Sequence, residues 1–468
     1  MHILWGLAGM LGLLLIAYAA STNRQAIKPR TVLAALGLQI GFGVLVLYVP
    51  AGKTALSKAS EVVQAVIDSS KAGIGFLFGP ILPEKGIIFA FQVLPVIIFV
   101  ASLTSMLYYL GWLQKLVTVL GGGLSKLLGT ERAESVNAAA NIFLGQTEAP
   151  LLIRPYLKDM TRSGLFAVMV GGLSTVAGSV LVGYSLLGAN LDYLIAASFM
   201  AAPGALLMAK IVVPEDGVID SGKPAVAVAA TGATASASAT ASTSEKTTES
   251  GSASTEKTET KSAVAVKEKT EEKVEEKPAE TKSPEEKKDS GHDEEEPQHR
   301  NLIDAAASGA ADGLQLALNV GAMLLAFIAL IALVNLMLGM IGGLFGYGDL
   351  KFETILGYVF SPVMAMIGVP LDEAIKAGSF VGQKIVVNEF VAFSAFGPEA
   401  ATVSAKTGAI ITFALTGFAN LSSIGILLGG LGTMAPNRRG EIAHLGMRAV
   451  LAATLANLMS AAIAGMLL

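Results

Sequence analysis

The chain has no cysteine and only four histidines, at positions 2, 292, 299 and 444. Without thiols there is no disulfide framework, no thiolate zinc site and no cysteine nucleophile. The histidines sit at an end, in a polar tract or near a span edge, which argues against a histidine-based metal or catalytic centre. Charge is scarce as well. Asp, Glu, Lys and Arg make up 15% of the residues, against about 25% in an ordinary soluble domain. A mean hydropathy of +0.61 over 468 residues is too apolar for a soluble enzyme. It points to a membrane protein with several spans.

The net charge of -4 hides a split. Residues 214–300 hold 12 Lys/Arg and 20 Asp/Glu, and the remainder is net positive. This tract has no Phe, Trp or Tyr and is rich in Ala, Thr, Ser, Glu and Lys. It cannot bury enough apolar surface to offset chain entropy, so it is expected to be a disordered linker.

Long apolar runs fall at about 3–20, 31–50, 86–111, 164–189, 192–213, 314–344, 405–432 and 441–468. Each approaches or exceeds the roughly 20 residues of a spanning helix. Three further segments fit less well: 136–157 with Glu148 and Arg154, 352–368 with an internal proline, and 372–398 with Lys384 and Glu389. The basic loops around Arg24, Arg132, Arg162, Lys210 and Arg438 are expected on the cytoplasmic side. The eight runs then alternate correctly only if 136–157 and 372–398 are re-entrant hairpins and 352–368 does not cross fully. Both termini come out non-cytoplasmic and 214–300 cytoplasmic. Four lysines in 51–85 argue the other way. The first run has no basic residue before it and several after it, the reverse of a signal peptide, so it is expected to be a retained span.

The expected architecture is an all-α polytopic membrane protein with eight transmembrane helices plus two re-entrant hairpins in inverted repeats. Residues 1–85 form N-terminal scaffold spans. Residues 86–213 form a first repeat around hairpin 136–157, and 301–468 a second around hairpin 372–398. Each repeat crosses three times, an odd number, so the second is inverted. Gly145-Gln146-Thr147-Glu148 echoes Gly382-Gln383-Lys384 with Asn388-Glu389. Each hairpin precedes a span interrupted by small polar residues, at 171–179 and 417–423. Inverted repeats with broken helices suggest a secondary transporter with its site near the midplane.

A carboxylate in hydrocarbon costs at least a few kcal/mol, so Glu148 and Glu389 should face a cavity or a partner. Each could bind a ligand, cap hairpin amides, or pair with Arg154 or Lys384. Asn141, Thr175 and the backbone near Leu144 and Val176 offer oxygens for a small cation, or simply hydrogen-bond between helices. Phe418 and Val180 could contact a flat ring or be core.

These strings resemble the concentrative nucleoside transporter family. The match lies in Gly145-Gln146-Thr147-Glu148-Ala149-Pro150-Leu151-Leu152-Ile153, in 174–181, in Asn388-Glu389-Phe390-Val391-Ala392 and in 417–426. It runs on to Ala435-Pro436-Asn437-Arg438-Arg439, and the resemblance covers nearly the whole chain outside 214–300. It implies a homotrimer in the bilayer with an elevator-like transport domain, in the bacterial inner membrane. It implies that Gln146, Thr147 and Glu148 contact the base of a nucleoside. Val180 and Phe418 become its apolar neighbours, and Glu389, Asn420 and Ser423 the ribose contacts. Asn141 and Thr175, with the carbonyls of Leu144 and Val176, become sodium ligands. Thr175 stands where some sodium-coupled members carry serine, and it keeps the hydroxyl. The 214–300 tract is longer than the family's usual connection.

The expected function is therefore nucleoside import by sodium symport, with no organic cofactor, no nucleic-acid partner and no enzymatic step. The alternative is a proton-coupled nucleoside symporter or a same-fold transporter of another small polar cargo. A channel would leave the paired carboxylates unexplained, and an intramembrane enzyme lacks a nucleophile-base-metal set.

Overall fold

A computed structural model describes residues 2–83, 88–217 and 299–468. Residues 218–298 lie outside the described residues, and with them nearly all of the expected linker. The regular elements among the described residues are all helices, with no strand among them.

The N-terminal part contains α1 (His2–Ala19), α2 (Pro29–Leu47) and α3 (Pro50–Phe78). Apolar runs alone leave 51–85 as a connection between spans. Instead, α3 is a 29-residue helix with Pro50 in its first turn. Leu56, Ser60, Ile67, Ser70 and Ile74 are buried along one stripe, while Lys53, Lys58 and Lys71 are exposed. Its lysines lower its mean hydropathy, but at helical spacing they form the solvated face of an amphipathic helix.

The first repeat follows. A short π-helical turn, Phe89–Val93, runs into α4 (Leu94–Tyr109), then α5 (Trp112–Leu128) and α6 (Arg132–Ala140). Glu131 and Glu134 form a capping box that starts α6, with Glu131 N donating to Glu134 Oε1 at 2.8 Å. The first hairpin therefore begins at Arg132, not 136. Its returning arm is irregular, a 3-10 stretch Ala149–Ile153 and the single turn α7 (Arg154–Leu157), because Pro150 and Pro155 interrupt the helical ladder. The interrupted span is α8 (Arg162–Ser174) and α9 (Gly178–Leu186), and α10 (Leu191–Val212) closes the repeat.

The second repeat uses the same parts. They are α11 (Leu302–Gly343), α12 (Phe352–Met366), α13 (Leu371–Val386), α14 (Glu389–Glu399), the broken span α15 (Ala405–Leu415) and α16 (Ser422–Met434), and α17 (Arg439–Leu467). Segment 352–368 folds back on α13 through a bend of 118°. Helix α11 starts at Leu302, well before the expected 314. Asn301 caps it, accepting from Asp304 N at 2.9 Å. Its first turns carry Asp304, Asp312 and Gln315, which lowered the hydropathy there without interrupting the helix.

The packing follows the repeat. Helix α4 lies on α11, α10 on α17, α5 on α6 and α12 on α13. Each first half of a broken span, α8 or α15, packs against both α10 and α17. Six helices among the described residues are long and apolar enough to cross a bilayer: α2, α4 with its π turn, α8 with α9, α10, α11 and α17. The other two expected runs are the shorter α1 and the broken α15/α16 pair. The most apolar window of α10 is 94% buried and that of α11 only 6%. The central pair α10/α17 is thus the core, and α11 turns an apolar surface outward.

Candidate functional site

The two hairpin tips and the two helix breaks meet. Gly178 N at the first break donates to Phe143 O of the first hairpin at 3.1 Å. Leu421 N at the second break donates to Ile385 O of the second hairpin at 3.1 Å. The breaks also touch each other, with Phe418 N donating to Thr175 O at 3.3 Å. Interrupted helices leave amides and carbonyls outside the helical ladder, and here those groups are partly spent on holding the site together.

Two glycines allow the approach. A Cβ on Gly172 would lie 2.8 Å from Gln146 Cβ, so the bare backbone of α8 seats the first hairpin tip. Gly417 has φ +144, which favours glycine, and a Cβ there would lie 2.5 Å from Asn457 Oδ1 and 2.7 Å from Ser174 O. We expect Gly417→Ala to cost roughly 2–4 kcal/mol. The check is the melting temperature of the detergent-purified protein, with Gly425→Ala, which meets nothing within 4 Å, as the unaffected control.

A cavity of about 550 Å³ opens at this junction. All eight residues expected to meet the cargo line it: Gln146, Thr147, Glu148, Val180, Glu389, Phe418, Asn420 and Ser423. Glu389 is buried at the N-terminus of α14, where Asn388 caps the helix by accepting from Val391 N at 2.9 Å. Its carboxylate does not pair with Lys384. It accepts from Tyr184 OH at 3.0 Å and from Asn420 Nδ2 at 2.8 Å. The Asn420 amide cannot flip, because its Oδ1 accepts from Ser423 N at 2.9 Å and Ser422 Oγ at 2.7 Å. Glu148 is exposed toward the cavity and accepts from Thr147 Oγ1 at 3.2 Å.

The four expected cation ligands are buried where the tip of the first hairpin, with Asn141 and Leu144, meets the first helix break, with Thr175 and Val176. The Asn141 Nδ2 donates to Asn137 O at 3.0 Å, which leaves Asn141 Oδ1 buried without a partner. The Thr175 hydroxyl donates its hydrogen to Gly171 O at 2.9 Å, so its lone pairs stay available. Gly171 links the two, since a Cβ there would be 3.3 Å from Asn141 Nδ2. Leu144 and Val176 fall outside the helices, so their carbonyls are free of the helical ladder. An orphaned amide oxygen, a hydroxyl and non-helical carbonyls make a hard-oxygen set that fits a small monovalent cation.

Several residues at the site escaped sequence reasoning. Tyr184 left no signal, since an aromatic on an apolar span reads as core. Asp312, Gln315 and Asn319 line the cavity from α11. Their spacing of three and four on an apolar helix is a legible signal, which a span beginning at 314 cuts through. Asn137 is fully buried with both side-chain polar atoms unpartnered, one turn before Asn141.

Three family models cover the chain. The model described as "Na+ dependent nucleoside transporter C-terminus" matches residues 193–465, its N-terminus counterpart residues 8–81, and "Nucleoside recognition" residues 90–191. The chain belongs to the sodium-dependent nucleoside transporter family. It is 41% identical to the nucleoside permease NupC of Helicobacter pylori, over 99% of this chain and 97% of that protein. It is 35% identical to sodium/nucleoside cotransporter 2 of Rattus norvegicus, over 98% of this chain and 62% of that protein. Among solved structures, CNTnw in an inward-facing substrate-bound state is 47% identical with a TM-score of 0.81, covering 100% of this chain and 98% of that one. This family member is thus a multi-pass membrane protein built for nucleoside transport.

Proposed function

We propose that the protein imports nucleosides across the bacterial inner membrane by sodium symport, with elevator-type movement of the hairpins and broken helices as one body. The supporting observation is the single cavity lined by Gln146, Thr147, Glu148, Val180, Glu389, Phe418, Asn420 and Ser423. Glu389 offers acceptor lone pairs to ribose hydroxyls, with Asn420 and Ser423 beside it. Gln146, Thr147 and Glu148 present donors and acceptors to a base edge, and Phe418 and Val180 give the flat ring apolar contact.

Sodium is carried as a co-substrate on Asn141, Thr175 and the carbonyls of Leu144 and Val176. Binding there orders the first hairpin, which presents Gln146 and its neighbours to the base. Cation and nucleoside therefore favour the loaded state together. Residues 1–85 serve as scaffold, 86–213 and 301–468 as the repeats, and 214–300 as a cytoplasmic linker, with both termini non-cytoplasmic. The proposed assembly is a homotrimer in the bilayer, as the family resemblance implies. The reading has no place for an organic cofactor, a nucleic-acid partner or an enzymatic step.

The test is radiolabelled uridine uptake into proteoliposomes under an inward sodium gradient, against choline with and without an inward proton gradient. Uptake that requires sodium is expected. Uptake driven only by protons would keep the nucleoside site and discard the sodium one. Lack of uptake under any gradient, for uridine and adenosine alike, would discard the cargo.

A further inference from the structure

One wall of the nucleoside cavity is α11, and it carries an acid. Asp312 lines the cavity, with Gln315 and Asn319 on the same helix face at spacings of three and four. The base and ribose contacts leave this wall unused. The packing of α11 on α4 holds Asp312 in place. A Cβ on Gly313 would lie 2.8 Å from Ala101 Cβ and from Ile98 Cα, and one on Gly309 would lie 2.5 Å from Ser105 Cβ. Ser102 Oγ of α4 donates to Ala306 O at 2.8 Å. Backbones this close leave α11 little freedom to turn about its own axis, so position 312 stays on the cavity side.

The described residues that line the cavity include three acids, Glu148, Asp312 and Glu389, and no Lys, Arg or His. Glu389 is engaged by Tyr184 and Asn420. Glu148 is folded onto the first hairpin, where it accepts from Thr147 Oγ1. Gly145 makes the room, since a Cβ there would lie 2.1 Å from Glu148 Oε2. Asp312 makes no hydrogen bond or ion pair among the described residues, and its charge is close enough to act on Glu148. Two carboxylates on two walls of one cavity repel, and a group that donates to both relieves the repulsion.

An exocyclic amino group on a nucleobase is such a group. Its two hydrogens lie in the plane of the base and point apart, so each carboxylate can take one. A base with a carbonyl at that place offers lone pairs, which two carboxylates repel. Its ring N–H beside the carbonyl can serve one acid but not both. We propose that Asp312 and Glu148 together form a subsite for an exocyclic amino group. The protein then prefers amino-bearing bases, cytosine and adenine, over their oxo counterparts, uracil and hypoxanthine. The inference rests on the nucleoside reading of the cavity and deepens it. Asp312 is a specificity determinant that α11 supplies from outside the hairpins and broken helices.

Competition between nucleosides tests this, in proteoliposomes under an inward sodium gradient. Cytidine and uridine form one pair and adenosine and inosine another. Within each pair only the amino or oxo group and its accompanying ring proton differ. Inhibition constants are read against whichever of radiolabelled uridine or adenosine is carried. In the wild type the amino member of each pair should inhibit at about tenfold lower concentration. Asp312→Asn removes the charge and adds an N–H donor for a carbonyl, so both ratios should fall to about one. Asp312→Ala removes the acceptor alone and should also lower both ratios, and either variant decides should the other fail to insert. Equal inhibition within the wild-type pairs, or wild-type ratios retained in the variants, would overturn the subsite alone, because uptake itself would still show nucleoside transport. A shift in the sodium concentration for half-maximal uptake, with both ratios unchanged, would also overturn it and mark the two acids as a cation site. Uptake of neither labelled nucleoside would overturn the nucleoside reading and this inference with it.

Discussion

Glu389→Gln is expected to abolish nucleoside uptake, a loss of roughly 100- to 10,000-fold in transport at low substrate, while the protein still inserts and folds. Each hydrogen bond to a charged acceptor contributes about 1.5–3 kcal/mol, and the ribose has two hydroxyls to place. The fold survives because the surroundings can adapt to an amide. Asn420 must keep donating from Nδ2, since its Oδ1 is held by Ser423 N and Ser422 Oγ. The glutamine oxygen can accept that bond, and its NH2 can then donate to Tyr184 OH, which rotates to accept. What disappears is the negative charge and the second acceptor facing the cavity. Saturable uptake of radiolabelled uridine, with detergent gel filtration as the check on assembly, measures both halves. Near-normal uptake by the variant would sink the ribose assignment.

Asn141→Ala should raise the sodium concentration needed for half-maximal uptake about thirtyfold, corresponding to about 2 kcal/mol. The alanine removes Asn141 Oδ1, a buried oxygen without a hydrogen-bond partner in the protein. Coupling is reciprocal, so nucleoside affinity at a fixed low sodium concentration should fall by the same factor and recover as sodium is raised. That recovery separates a lost cation ligand from general damage to the hairpin, which sodium would not repair. An unchanged sodium dependence would remove Asn141 from the cation site and leave its amide as a structural hydrogen-bonding group.

The broad architecture was legible because a bilayer imposes it. Apolar runs, odd crossing numbers and two polar-bearing segments led to inverted repeats with hairpins, and the elements from α4 to α10 and from α11 to α17 follow that plan. The amphipathic helices were not legible in the same way. Helix α3 carries Lys53, Lys58 and Lys71 on its exposed face, and averaging over a window hides a stripe that only helical spacing reveals. The start of α11 was hidden likewise, because Asp312 and Gln315 lower its hydropathy although they face the cavity. The first hairpin begins before the expected 136 because Arg132 and Glu134 lower the hydropathy of a helix whose first turn is set by the Glu131 capping box.

The sequence by itself determined the membrane class, the two repeats and which polar residues stand in hydrocarbon, because burying a carboxylate or amide without a purpose is too costly to be incidental. It also carried the family motifs that gather Gln146 to Glu148 with Glu389 and Asn420. Only the tertiary structure decided how those groups are used. Glu389 answers to Tyr184 and Asn420 and not to Lys384, while Lys384 answers to Ala414 and Asn457. Every one of those partners comes from another element, 30 or more residues away in the chain. A hydrogen bond depends on position to within a fraction of an ångström, and periodicity along one chain carries no record of which helices will cross at such a point.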